Sequence, residues 1–130
     1  MSHFHAVVWM DHAEAHVLHF TPDEAERTVV HAHGKHRQIH HRRGTLGSGK
    51  APEDMDYFAM VAKSLEGAQQ ILLTGPANEK IEFKKYLDTH ARTLAAAIVA
   101  VEAADHPTDG ELLRHARKFF VAADRMHVRR

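Results

Sequence analysis

Apolar and polar residues alternate through the opening of the chain. "HFHAVVWMD" (3–11) and "EAHVLHFT" (14–21) read as strands, and the Asp11-His12-Ala13-Glu14 corner between them predicts a hairpin. "TPDEA" (21–25) is a second turn, with Pro22 and Asp23 as turn residues, and "ERTVVHAH" (26–33) is a third strand. The first quarter of the sequence is therefore expected to form an antiparallel meander.

After residue 50 the period lengthens. Pro52 starts a helix that places Met55, Phe58, Ala59, Ala62 and Leu65 on one face. "QILLTG" (70–75) is a short buried strand closed by Gly75-Pro76, and Asn78 is placed to cap a helix carrying Ile81, Phe83, Leu87 and Leu94. "AAAIVAVEAAD" (95–105) is a further buried strand. Thr108 and Glu111 have the spacing of a capping box, and the helix they open buries Leu112, Leu113, Ala116, Phe119, Phe120 and Ala123. The expected order is β-β-β-α-β-α-β-α: an α/β fold with a mixed five-stranded sheet, of ribonuclease H-like type, in a single domain over 1–130. The connection at 34–51 is longer than compact domains ordinarily use, and such connections are commonly functional.

Composition narrows the chemistry. The 130 residues include no cysteine, which removes disulfides and thiolate metal sites. "MSHFHAVVWMDH" has no basic-then-apolar leader and no apolar run approaches membrane-spanning length, so a soluble, cytoplasmic protein is expected. Charge is balanced, with 17 Lys and Arg against 17 Asp and Glu, but it is unevenly spread. Residues 31–50, "HAHGKHRQIHHRRGTLGSGK", hold five cations, five of the 14 histidines and no acid. The other 110 residues keep 12 basic against 17 acidic. Protonation of its histidines would raise the segment's charge further in mild acid.

Several chemistries can be weighed against this pattern. Gly44 through Lys50 spells G-x-x-x-x-G-K, but Ala51 stands where a phosphate loop needs Ser or Thr for Mg²⁺, and no parallel strand feeds the turn. Alternating histidines (His3 and His5, His31 and His33, with His12, His16 and His19 nearby) are expected to face solvent on an open side of the sheet, and no metal site is assigned to them. Asp11, Glu14, Glu102, Asp105 and Asp109 could supply a two-metal nuclease site, with Asp11 and Glu102 meeting at strand ends. Asp11, however, sits where a turn residue is expected and Asp109 where a helix begins. Ser48 lacks a nucleophile's strand-turn-helix setting. No catalytic residue and no cofactor is therefore expected. The basic connection suits an RNA backbone, with Lys35, Arg37, His40, His41, Arg42, Arg43, Gly47, Ser48, Gly49 and Lys50 as the contacting residues. A metal-dependent hydrolase or nuclease built from the carboxylates and histidines is the alternative.

"VEAADHPTDGELLRHARKFF" (101–120), "LLTGPANEKIEFKKYL" (72–87) and "GSGKAPEDMDYF" (47–58) resemble small bacterial proteins described as translational machinery proteins. The Asp105-His106-Pro107-Thr108-Asp109-Gly110 block is the most specific part. That family is similar to the central domain of archaeal and eukaryotic class-I peptide release factors and of pelota-type rescue factors. The resemblance implies a non-catalytic domain associated with the ribosome, ribosomal RNA or transfer RNA, acting in rescue, hibernation or stress response. Release factors carry Gly-Gly-Gln in the connection between the third strand and the first helix. Here that connection offers Gly47-Ser48-Gly49-Lys50, and its one glutamine is Gln38. The resemblance therefore does not carry peptidyl-tRNA hydrolysis over to this chain.

Overall fold

The computed structural model describes residues 4–32 and 52–128, the side chains of 52–54 and 124–128 excepted. Strands β1 (His5–Met10), β2 (Glu14–Phe20), β3 (Ala25–His31), β4 (Gln70–Gly75) and β5 (Ile98–Ala103) form one sheet in the order β3-β2-β1-β4-β5. The β1–β2 and β2–β3 pairs are antiparallel, whereas β1–β4 and β4–β5 are parallel. Four helices accompany it among the described residues: α1 (Pro52–Ser64), α2 (Glu79–His90), α3 (Arg92–Ala97) and α4 (Asp109–Val128). The mixed five-stranded α/β architecture is the one the sequence predicts, with α3 as an addition.

Burial explains the hydrophobic patterns. β1 and β4 lie in the middle of the sheet with both faces covered, so "AVVWM" and "ILL" are continuous apolar runs. Ala6, Val8, Met10, Ile71 and Leu73 join α1 and α2 in one core. Val7, Trp9, Leu18, Phe20 and Leu72 form a second core with Leu112, Ala116 and Phe120 of α4. Each large apolar side chain buried this way contributes about 1.5–3 kcal/mol. Thr74 is buried without penalty because its hydroxyl donates to the Val8 carbonyl at 2.8 Å.

Corners and caps follow local chemistry. Asp11 Oδ1 accepts from the backbone N–H of Ala13 (2.8 Å) and Glu14 (3.0 Å), turning β1 into β2. At the next corner the Thr21 hydroxyl accepts from Asp23 N (3.2 Å) and Glu24 N (3.0 Å). That side-chain role belongs to Thr21 rather than to Pro22 or Asp23. The capping box of α4 is complete: Glu111 N donates to Thr108 Oγ1 at 3.1 Å, and Thr108 N to Glu111 Oε1 at 2.9 Å.

Five expectations are corrected. The buried face of α1 is Tyr57, Phe58, Val61 and Leu65, while Ala59 is exposed. Tyr57 can go inside because its hydroxyl donates to the Asp11 carbonyl at 2.8 Å. In α2, Phe83 and Leu87 are buried but Ile81 is exposed, and the aliphatic stem of Lys80 takes an inner position while its ammonium donates to Ala77 O at 2.6 Å. Asn78 stands at the N-cap without a side-chain cap bond. The helix stops at His90 because Ala91 leaves helical geometry (φ −149°, ψ 66°), which hands Leu94 to α3. Ala95–Ala97 stay helical, as alanine favours, and the strand begins at β-branched Ile98 and Val99.

Candidate functional site

β3 runs in the same direction as β1, since both are antiparallel to β2. Its end therefore lies with the carboxyl ends of β1, β4 and β5, where ligands bind in open α/β sheets. Ala32 N donates to Ala13 O at 2.8 Å, and Tyr57 of α1 reaches Asp11. Ala32, at the end of the described meander, and Tyr57 of α1 thus both meet the β1–β2 corner. Lys35, Arg37, His40, His41, Arg42, Arg43, Gly47, Ser48, Gly49 and Lys50 themselves lie outside the described residues, as does the G-x-x-x-x-G-K stretch.

A polar cluster occupies the α4 side of this end. His16 of β2 is held between two carboxylates, with Nδ1 2.9 Å from Asp109 Oδ1 and Nε2 3.0 Å from Glu14 Oε2. An imidazolium donates from both nitrogens and so matches both partners. Arg27 of β3 donates to Asp109 Oδ2 at 2.6 Å. His31 and His106 flank Glu14, at 3.6 Å and 3.8 Å. Trp9 supports the arrangement: its indole N–H donates to the carbonyls of Ala104 (3.2 Å) and Asp105, and its ring lies 4.2 Å from that of His106. Partial burial alone would raise the Asp109 carboxyl, but the hydrogen bonds and charges of Arg27 and His16 outweigh it and hold the group below its ordinary value. Burial, followed by the charges of Glu79, Asp11 and Glu14, pushes the Tyr57 phenol well above its ordinary value.

His12 and His31 are exposed as expected, and His3 and His33 lie outside the described residues, but His5 and His16 are not solvent-facing, because α4 covers their side of the sheet. His16 is tied as described, and His5 packs on the rings of Phe20 and Phe120, with centroids 5.8 and 4.3 Å away. His19, on the opposite face, lies 2.7 Å from the Ser64 carbonyl. Asp11 and Glu102, the two carboxylates expected to meet at strand ends, have separate partners: Asp11 turns the hairpin and Glu102 Oε1 lies 2.7 Å from His115 Nε2. Among the described residues no group of three His, Asp or Glu side chains is arranged to hold a metal ion. No described helix is long and apolar enough to cross a membrane.

One basic surface escapes a reading by net charge. Arg114, Arg117 and Lys118 lie along α4 beside Leu113 and Val121, lining a groove of about 570 Å³ with no acid among its described walls. Arg117 is fixed there by donating to the carbonyls of Thr21 and Glu24, each at 3.1 Å. The i, i+3, i+4 spacing of the three cations was the available signal.

No family model and no curated protein matches the chain. The Pelota protein of Thermoplasma acidophilum superposes with a TM-score of 0.61 at 17% identity, over 86% of this chain and 31% of that one. They share a fold. Archaeoglobus fulgidus Pelota gives 0.62 at 14% identity, over 88% and 30%. An archaeal translation termination factor, aRF1, gives 0.52 at 12% identity, over 95% and 40%. The chain thus spans less than half the length of each of these structures.

Proposed function

We propose that this chain is a ribosome- or RNA-associated domain of translation-factor type that contacts ribosomal or transfer RNA through residues 35–50 and performs no chemistry on it. The observation that supports this reading is the place of the chain on either side of the acid-free basic segment. Ala32 before it and Tyr57 after it both bond to the β1–β2 corner of a sheet whose fold is shared with Pelota and aRF1. Dom34 of S. cerevisiae, a translation termination-like factor involved in RNA quality control pathways, has a similar fold over 82% of this chain. A role in rescue, hibernation or stress response, in the cytoplasm, follows from the same reading. The cations supply affinity through phosphate contacts, and the glycines Gly44, Gly47 and Gly49 allow close backbone approach.

Co-sedimentation with ribosomes tests it, comparing the intact sequence with an Arg42→Gln, Arg43→Gln, Lys50→Gln variant at two salt concentrations. The triple variant should lose most of its binding. For single-stranded RNA, five phosphate contacts give a slope of log affinity against log salt of about −3.5. A slope near zero, or unchanged binding by the variant, removes the reading. Binding should tighten between about pH 7.5 and 6 if the segment's histidines take part.

A further inference from the structure

The outer face of α4 is unbalanced in charge. Residues 112–123, LLRHARKFFVAA, hold Arg114, Arg117, Lys118 and a histidine but no acid. On α2, by contrast, lysines have carboxylates about a turn away, Lys84 with Asp88 at 3.4 Å and Lys85 with Glu82 at 4.0 Å. Among the described residues no carboxylate pairs with Arg114 or Lys118, both of which are exposed. Apolar side chains share the face. Leu113, Arg117 and Val121 are four residues apart and lie one above another along the helix. Val121, 55% exposed, is the most exposed large apolar side chain among the described residues. Arg117 is already held: Nε and Nη2 donate to the carbonyls of Thr21 and Glu24, and Nη1 has no described partner. It therefore has little rotamer freedom left to lose when a partner binds. Gly110 and Ala122 stand at the ends of the groove's described walls, roughly 18 Å apart along the helix, a span suited to a linear segment.

We infer that this face docks an acidic amphipathic segment of a protein partner, with carboxylates on Arg114, Arg117 and Lys118 and aliphatic side chains over Leu113 and Val121. The cations fix the sign of the occupant's charge. The apolar positions fix its class. A phosphate backbone would satisfy the cations but leave Leu113 and Val121 uncovered, and the described walls offer no aromatic ring on which a base could stack. An acidic helix with one apolar stripe matches both halves of the surface.

Calorimetric titration of the full chain tests the inference, using a synthetic peptide of about 14 residues with leucine at every third or fourth position and glutamate between. It should bind with a negative heat-capacity change, the mark of apolar burial. Affinity should fall about tenfold for Arg114→Gln with Lys118→Gln, and likewise for Val121→Asp. Far-ultraviolet circular dichroism should show that these variants keep their fold. In the intact chain the amide resonances of 113–121 should shift on titration. Equal affinity for a peptide of the same composition with its leucines scattered overturns the inference, as does a heat-capacity change near zero or binding indifferent to the substitutions. So does a single-stranded oligouridylate whose affinity falls as far in the same variants, which would make the face a phosphate surface. The Arg42→Gln, Arg43→Gln, Lys50→Gln variant should still bind the peptide, and loss there overturns the inference too. The α4 variants should keep RNA binding, so this inference and the functional proposal fail separately.

Discussion

His16 Nδ1 lies 2.9 Å from Asp109 Oδ1, joining β2 to the first turn of α4 across 93 residues of sequence. Arg27 holds the other oxygen of the same carboxylate. Asp109 therefore links β2, β3 and α4, and its lowered pKa makes the link pH-dependent. A carboxyl depressed in the folded state adds stability above its unfolded value, and that share disappears as pH falls through the folded value. Asp109→Asn should cost about 1 kcal/mol or less at neutral pH, as partly exposed pairs do. The gap between variant and wild type should begin to close as pH falls below about 4, read from urea unfolding midpoints.

Tyr57 acts at the other end of the scale. Its phenol is held neutral by burial, so stability should fall as pH rises above about 10, where the unfolded chain ionises first. Tyr57→Phe removes this alkaline loss but strands the Asp11 carbonyl, costing about 1 kcal/mol near neutrality. Unfolding curves of the two proteins against pH should therefore converge in alkali.

Gly75 closes β4 with φ +149°, and a Cβ there would meet the Met10 carbonyl oxygen at 2.1 Å. Backbone cannot yield as a flexible side chain can. Gly75→Ala should lose more than about 2 kcal/mol, seen as a large fall in thermal midpoint or as failure to accumulate folded protein.

Thr108→Ala breaks the capping box at one of its two bonds. A loss of about 1 kcal/mol is expected, with Thr108→Ser restoring most of it. Guanidinium titration of the three proteins measures both steps.

What could be read in the sequence was local. The Asp11 corner, the Thr108–Glu111 box and the central strands each follow from neighbouring residues. The break at Ala91 was hidden because an alanine run is as compatible with helix as with strand, and only packing decides. The His16–Asp109–Arg27 link could not be read, since no local pattern connects residues so far apart. The solvent-facing assignment failed for His5 and His16 for the same reason: the sequence did not tell which sheet face α4 would cover.

That face has a further consequence. Val7, Trp9, Leu18, Phe20 and Leu72 share a single cover, α4. During synthesis the strands that carry them emerge well before that helix does. The nascent sheet therefore has one side uncovered until α4 has been made. A cut anywhere between β5 and Phe120 should leave a sheet that can pair but cannot close.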